Sequence, residues 1–509
     1  MLFKMEAAYG VHFGCTSACL AVTKDDKTDV IANDLGDRTT PCIVAFTEHE
    51  QSVGMAAKQG MIRNLSNTVC HVKQILGRSF HDPAVVQYKR SSNTTVVDKN
   101  GEPFYEVDYK ESRQQISPSD IAVAIYKKML ETAQSHGGLS GTQDSVLAVP
   151  PHFTQQQKKA ISAAANHAGF NILRVISEPT AAVLAYDIGQ NDSHYNGFVL
   201  VFRLGGVSAE ASVVSVHNGM YQIITSVTDT SLGGDICTEA LTEYLMAEFK
   251  RQTKNDISDN KRAISKLSHA AEVSKHTLTK LDNVHCAVDS LFDGMDFNTK
   301  ISRARFDSSV SDIVQRCTQF IDKVLSDAQL TRKSVNKLIL CGGGCNMPVL
   351  QKAVSDMFSN CDILNTINPE EVIAIGAAKQ AGILSVLEDD DIKLNVGDCD
   401  VECITKPIHI KSMTSEGPQL VPVFPGYAPL HSRKHMDFSL AANQTAFLFE
   451  IYEGSSLEDA VLLAKIVMRE LPEGSTVNLN FHLRRDGHLH VTCTEPTTNK
   501  SESITIEPS

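Results

Sequence analysis

The sequence holds no uninterrupted apolar run of about 18 residues, so a membrane-spanning helix is not expected. Its opening residues, MLFKMEAAYG, lack the contiguous apolar segment of a secretory signal, and Met5 offers an alternative start. Basic residues are outnumbered. The 47 Lys and Arg against 60 Asp and Glu give a net charge of −13, which argues against a large nucleic-acid surface, because phosphate binding needs clustered cations. A disulfide framework is missing as well. The 13 cysteines are odd in number and scattered, as in a reducing cytosol. Cys15/Cys19, Cys341/Cys345 and Cys399/Cys403 are four apart, whereas structural zinc usually takes C-x2-C pairs. They read as small core or loop residues, and no metal ligand is assigned. Neither common nucleotide fingerprint, G-x-x-x-x-G-K-[ST] or G-x-G-x-x-G, occurs.

What is present is ordinary globular composition, 42% apolar and 21% charged, over 509 residues. Residues 1–385 alternate short β-rich runs with helical patterns, the rhythm of an α/β domain. Residues 386–400 contain the acidic run Glu388–Asp391 and read as a solvated linker. Residues 401–509 change character. TAFLFEIYEG (445–454) reads as a strand and TVNLNFHLRRDGHLHVTCTE (476–495) as a hairpin. In that hairpin Leu479, Phe481 and Leu483 alternate before Asp486-Gly487, and Leu489, Val491 and Cys493 alternate after it. An Asp-Gly turn is a strong short-range hairpin signal. The tail is expected to be a separate antiparallel β domain.

A weak internal repeat points to duplication. GVHFGCTSACLAV (10–22) and VLVFRLGGVSAEASVVSV (199–216) share one form: apolar strand, glycine turn with small residues, apolar strand. Two such hairpins, each opening half of an α/β domain, predict a central cleft. Four glycine turns are candidates for an anion: Gly14-Cys15-Thr16, Gly205-Gly206, Gly233-Gly234 and Gly342-Gly343-Gly344. Without a Cβ, backbone N–H groups can approach a phosphate, although any one such turn usually marks only a tight bend. Helix starts are expected after Ser177 and Met347 and at Asn368, each beside a proline. Helix N-termini aimed at a cleft favour anions.

Six segments carry a family resemblance: NDLGDRTTPCIVAF (33–46), VKQILGRSF (72–80), LRVISEPTAAVLAY (173–186), TSLGGD (230–235), ISRARFD (301–307) and INPEEVIAIGAA (367–378). In order and spacing they resemble the 70-kDa heat-shock chaperones, from about residue 10 to 507. The resemblance implies an actin-like (ribonuclease H-like, duplicated) ATPase domain followed by a β-sandwich that binds extended peptides. ATP is the implied cofactor, and its state controls peptide release. Lys73 falls on the family's catalytic lysine, and Glu178 on its carboxylate near the metal-bound waters. An isolated lysine is usually solvated, and Glu178 also suits a helix first turn. Glu272, Lys275, His276 and Thr279 fall on the positions that hold base and ribose, at spacings that share one helix face. From residues alone Glu272 and Lys275 would be a plain surface ion pair. Gly342 and Gly343 match the adenosine-loop glycines, and Glu370 stands where the family has Asp.

The departures lie at the reaction centre. His12 and Arg203 replace the Asp of the two phosphate strands, Cys15 replaces Thr, and Glu210 replaces Asp. Phosphoryl transfer needs carboxylates to orient the water shell of Mg²⁺, so these exchanges imply ATP binding with little need for Mg²⁺ and weak hydrolysis. His276 replaces the Arg that stacks on adenine, and imidazole lacks the fork and permanent charge of guanidinium. The short length, ending soon after the strand ESITIEP, leaves no residues for the helical lid. These features are those of an atypical family branch that pairs, as a heterodimer, with a zuotin-type J-domain protein in the cytosolic ribosome-associated complex and assists nascent polypeptides. Ribosome contact is then expected through the partner, with no direct nucleic acid or membrane contact. An autonomous ATP-driven foldase is the alternative. A sugar-kinase-like phosphotransferase would leave the β tail unexplained and needs carboxylates where His12 and Arg203 stand.

Overall fold

The computed structural model describes residues 7–25, 27–137, 143–190, 195–217, 219–358 and 360–385, and, in the tail, 404, 406–414, 417–424, 432–440, 444–454, 460–484, 487–498 and 500–507. The acidic segment 386–400, Asp486 and Met5 lie outside these. Contacts divide the chain into two compact units, Met1–Val396 and Gly397–Ser509.

The first unit is built on two sheets of one design. In the first, Lys27–Val30, Ser17–Lys24 and Ala8–Phe13 form an antiparallel meander, and Gln143–Val149 and Phe170–Ser177 add parallel strands. In the second, Met220–Asp229, Ala209–His217 and Asn196–Leu204 form the meander, and Val335–Cys341 and Asp362–Leu364 add the parallel strands. The strand order is the same, so the repeat seen in the sequence is a true structural duplication. The central strands are covered on both faces, which is why AYGVHF is buried at every position rather than alternating.

Two helices lie between the sheets, Glu178–Ala185 and Val372–Ser385. The first is almost wholly buried and the second mostly so, and both are rich in Ala, so backbones approach closely. A Cβ added to Gly376 would meet the Ala181 carbonyl oxygen at 1.7 Å, and one added to Gly10 would meet the Ala374 oxygen at 2.3 Å. The second helix begins later than the sequence suggests. Asn368 does not cap it; its side chain accepts from the Glu370 N–H at 3.1 Å and shapes a turn, and the helix starts at Val372. Ser177 does cap its helix, accepting from the Thr180 N–H, and Pro348 opens a helix as expected.

The second unit contains two four-stranded antiparallel sheets. One orders Gly417–Phe424, Ile408–Thr414, Phe447–Glu453 and Val461–Met468; the other orders Arg433–Ser439, Thr476–Leu483, Leu489–Glu495 and Lys500–Ile506. Leu479, Phe481 and Leu483 pair with Cys493, Val491 and Leu489, and all six are buried. Gly487 takes φ +81°, the left-handed value the hairpin turn requires. Phe449 of one sheet meets Phe481 of the other with ring centroids 6.0 Å apart, which places the core between the sheets.

The Gly376 contact yields a prediction. Gly376→Ala forces the two buried helices apart and should cost about 3 kcal/mol, read as a lower urea midpoint. An unchanged midpoint would show that the helices part freely.

Candidate functional site

The two duplicated hairpins present identical turns to the cleft between the sheets. The Gly14 N–H donates to the Ser17 carbonyl at 3.0 Å, and the Gly205 N–H donates to the Ser208 carbonyl at 2.9 Å. The Gly234 and Asp235 N–H groups donate to the Gly205 and Gly206 carbonyls, and the Gly342 N–H donates to the Pro369 carbonyl. The glycines were expected to aim their amides at an anion. In four of them, Gly14, Gly205, Gly234 and Gly342, the amide instead shapes the turns. Absence of a side chain matters more. A Cβ on Gly206 would lie 2.2 Å from the Thr16 side chain across the cleft, and Gly342 combines φ +81° with an approach of 2.5 Å to the Leu204 oxygen.

One cavity gathers most of the residues singled out in the sequence. Gly14, Cys15, Thr16, Gly205, Gly206, Gly234, Glu272, Lys275, His276, Thr279, Gly342, Gly343 and Glu370 all line it, together with His12 and Arg203. Gly233 lies behind the wall, packed on the Gly206 carbonyl. Lys73 and Glu178 do not line the cavity. They are buried beneath it and bound to each other, Lys73 Nζ donating to Glu178 Oε1 at 2.8 Å.

Glu178 is the centre of a cationic cluster. His12 Nε2 lies 3.4 Å from Oε1, and Arg203 Nε lies 3.1 Å from Oε2. Arg203 Nη2 is also 3.5 Å from Glu210 Oε2 and from Ser208 Oγ. Burial pushes the Glu178 carboxyl up, but Lys73 and Arg203, with His12, outweigh it and hold the group well below the usual carboxylate range. Burial lowers His12, so its ring is neutral at pH 7 despite Glu178. Burial raises Glu210 to about 7, with Arg203 opposing. Burial likewise raises the Cys15 thiol, against the pull of Lys73 and Arg203, so it is not a thiolate at pH 7.

The base side of the cleft is more conventional. Lys275 donates to the Gly234 carbonyl at 2.9 Å and to Thr238 Oγ1 at 2.8 Å. Glu272 is paired across the cleft with Lys58 at 3.0 Å, and His276 Nε2 is 3.9 Å from the same carboxylate. Burial lowers His276 below its ordinary value, leaving a neutral ring able to stack. Thr279 turns its hydroxyl back to the His276 carbonyl at 2.7 Å. Sequence reasoning missed Asp235, Ser208 and Lys58. Asp235 directly follows Gly233-Gly234 and faces His71 at 3.5 Å, a bridge between lobes that the motif's position could have suggested. Lys58 had no local signal.

These residues fit a nucleotide. The glycine walls leave room for phosphates, and Lys275, Glu272 and His276 supply polar and stacking groups. The buried carboxylates of Glu178 and Glu210 are already paired with Lys73 and Arg203.

Glu210 makes the cluster measurable. Its folded-state value lies above that of the unfolded chain, so its contribution to stability is present at low pH and is lost as pH rises through about 7. Glu210→Gln should therefore remove a decline in unfolding free energy between the ordinary carboxyl range and neutrality. Parallel pH profiles for the variant and the parent would contradict the burial of this charge.

Comparison with known proteins agrees with the geometry. Residues 8–509 match the family described as Hsp70 protein. Heat shock 70 kDa protein 14 of Danio rerio is 44% identical over 98% of this chain and 99% of its own length. The protein of that name from Homo sapiens and heat shock 70 kDa protein 14-B of Xenopus laevis are each 42% identical over the same shares. With its duplicated sheets, glycine-walled cleft and β-sandwich tail, the chain belongs to the Hsp70 chaperone family.

Proposed function

We propose that this chain is an ATP-binding chaperone subunit that hydrolyses ATP weakly or not at all and assists nascent polypeptides together with a zuotin-type J-domain protein. The carrying observation is the cluster around Glu178. Where the family pattern has Asp, His12 and Arg203 stand, and Arg203 points its guanidinium at the two nearby carboxylates. When bound, ATP supplies negative charge beside Arg203, which lines the cavity. His12, neutral and beneath the first turn, is a poor organiser of water for attack. Loss of one preorganised electrostatic group commonly costs about 10²–10³ in rate, so two exchanges account for a very slow site.

Association with the ribosome is proposed through the J-domain partner, because a net charge of −13 disfavours direct binding to RNA. Free thiols such as Cys341 and Cys345, unpaired in the structure, suit a cytosolic setting. The β-sandwich unit is assigned to peptide segments or to the partner.

A single-turnover assay with labelled ATP and excess full-length chain tests the nucleotide reading. ATP should be retained with little phosphate released, and Mg²⁺ should change retention little. Prompt Mg²⁺-dependent release would favour an autonomous foldase. Replacing both exchanged residues, His12→Asp with Arg203→Asp, should raise turnover by at least about tenfold; no gain would separate the slow rate from these positions. Co-expression with a zuotin-type J-domain protein should give a heterodimer on size exclusion, and independent elution would remove the partner from the proposal.

A further inference from the structure

Three cationic or basic side chains converge on one carboxylate at the floor of the cleft, and their order in depth matters. His12 and Arg203 line the cavity, while Glu178 does not. Glu178 therefore stands behind the groups that a phosphate would meet. Its exposure is 1%, so water does not screen the pair interactions. Lys73 is held at 2.8 Å on one oxygen of Glu178, and Arg203 faces the other.

The Arg203 contact is close but poorly aligned. Arg203 Nε and Glu178 Oε2 lie 3.1 Å apart, yet neither atom makes a hydrogen bond. His12 Nε2, at 3.4 Å, is also without one. A buried donor without a well-directed acceptor gains from a better one. The same guanidinium borders the second phosphate turn, since a Cβ on Gly205 would come within 2.8 Å of its Nη1. Its fork thus spans Glu178, Glu210 and the turn. Arg is suited to bidentate phosphate contacts at such a position.

We infer that Glu178 is an internal competitor of phosphate: it occupies Arg203 in the nucleotide-free chain and so limits nucleotide affinity. The inference rests on the nucleotide-binding reading and gives Glu178 a role opposite to that of a carboxylate organising a metal's water shell. Phosphate oxygens in the cleft draw Arg203, which lines it, away from Glu178, while Lys73 stays bound to Glu178 beneath. The cost of separating Arg203 from Glu178 is subtracted from binding. Neutralising Glu178 removes that cost while leaving the cations in place. The effect needs no divalent cation and grows with the charge of the polyphosphate.

The test is calorimetric titration of the full chain with ATP and with ADP, in EDTA and in Mg²⁺, for the parent, Glu178→Gln and Glu178→Asp. Glu178→Gln should bind ATP at least about tenfold tighter in EDTA, as expected when a charged competitor for a charge-assisted contact is removed. The gain should be smaller for ADP and unchanged by Mg²⁺. Glu178→Asp retains the charge but withdraws it by one methylene, so an intermediate gain is expected. It also serves if the first variant, with two unpaired buried cations, does not fold. Inorganic tripolyphosphate should raise the unfolding temperature of either variant more than that of the parent.

If the parent binds ATP and a folded variant binds it equally or more weakly, the competitor role is overturned and the nucleotide reading stands. If the parent binds no ATP in either buffer, the nucleotide reading fails and the inference falls with it.

Discussion

The cleft depends on a single buried charge. Glu178 opens a helix that is wedged between the two sheets, so its carboxylate cannot retreat to solvent. Isolated there it would be neutral or strongly destabilising. Lys73 from one lobe and Arg203 from the other make it stable, and through it they tie the two halves of the duplicated domain together at their floor. Burying such a set is no stability gain by itself, because desolvation offsets the attraction. Its effect is specificity. The lobes meet in one register, and where the family pattern has two carboxylates the cleft carries the Arg203 cation and the neutral His12 ring.

Much of the architecture was legible because it is local. The Gly-turn hairpins at 10–22 and 199–216 repeat one pattern, and both fold as antiparallel hairpins, although their first glycine amides close the turns rather than face an anion. The hairpin at 476–495 announces its register through strict alternation. Glu272, Lys275 and His276 share a helix face because their spacing requires it.

What was not legible is long-range. Lys73 and Glu178 are 105 residues apart, and Lys58 and Glu272 are 214 apart. No periodicity reports such pairs. Lys73 and Glu178 are each identifiable from motifs, but their mutual burial, which removes them from the cleft wall, is a tertiary fact. The start of the helix at Val372 was misplaced for a related reason. Residues 372–378 of that segment are continuously apolar, so the sequence offers no polar face to mark where the helix begins. Its position is set by close backbone approach at Gly10 and Gly376 rather than by a cap.

Two contacts join residues that line the cavity to the facing lobe, the ion pair of Lys58 with Glu272 and the 3.5 Å approach of His71 to Asp235. Both are partly exposed, unlike the cluster at the floor, so solution ions reach them and not the cluster. Added salt is therefore expected to weaken the contacts at the edge of the cavity while leaving the Glu178 cluster largely unscreened.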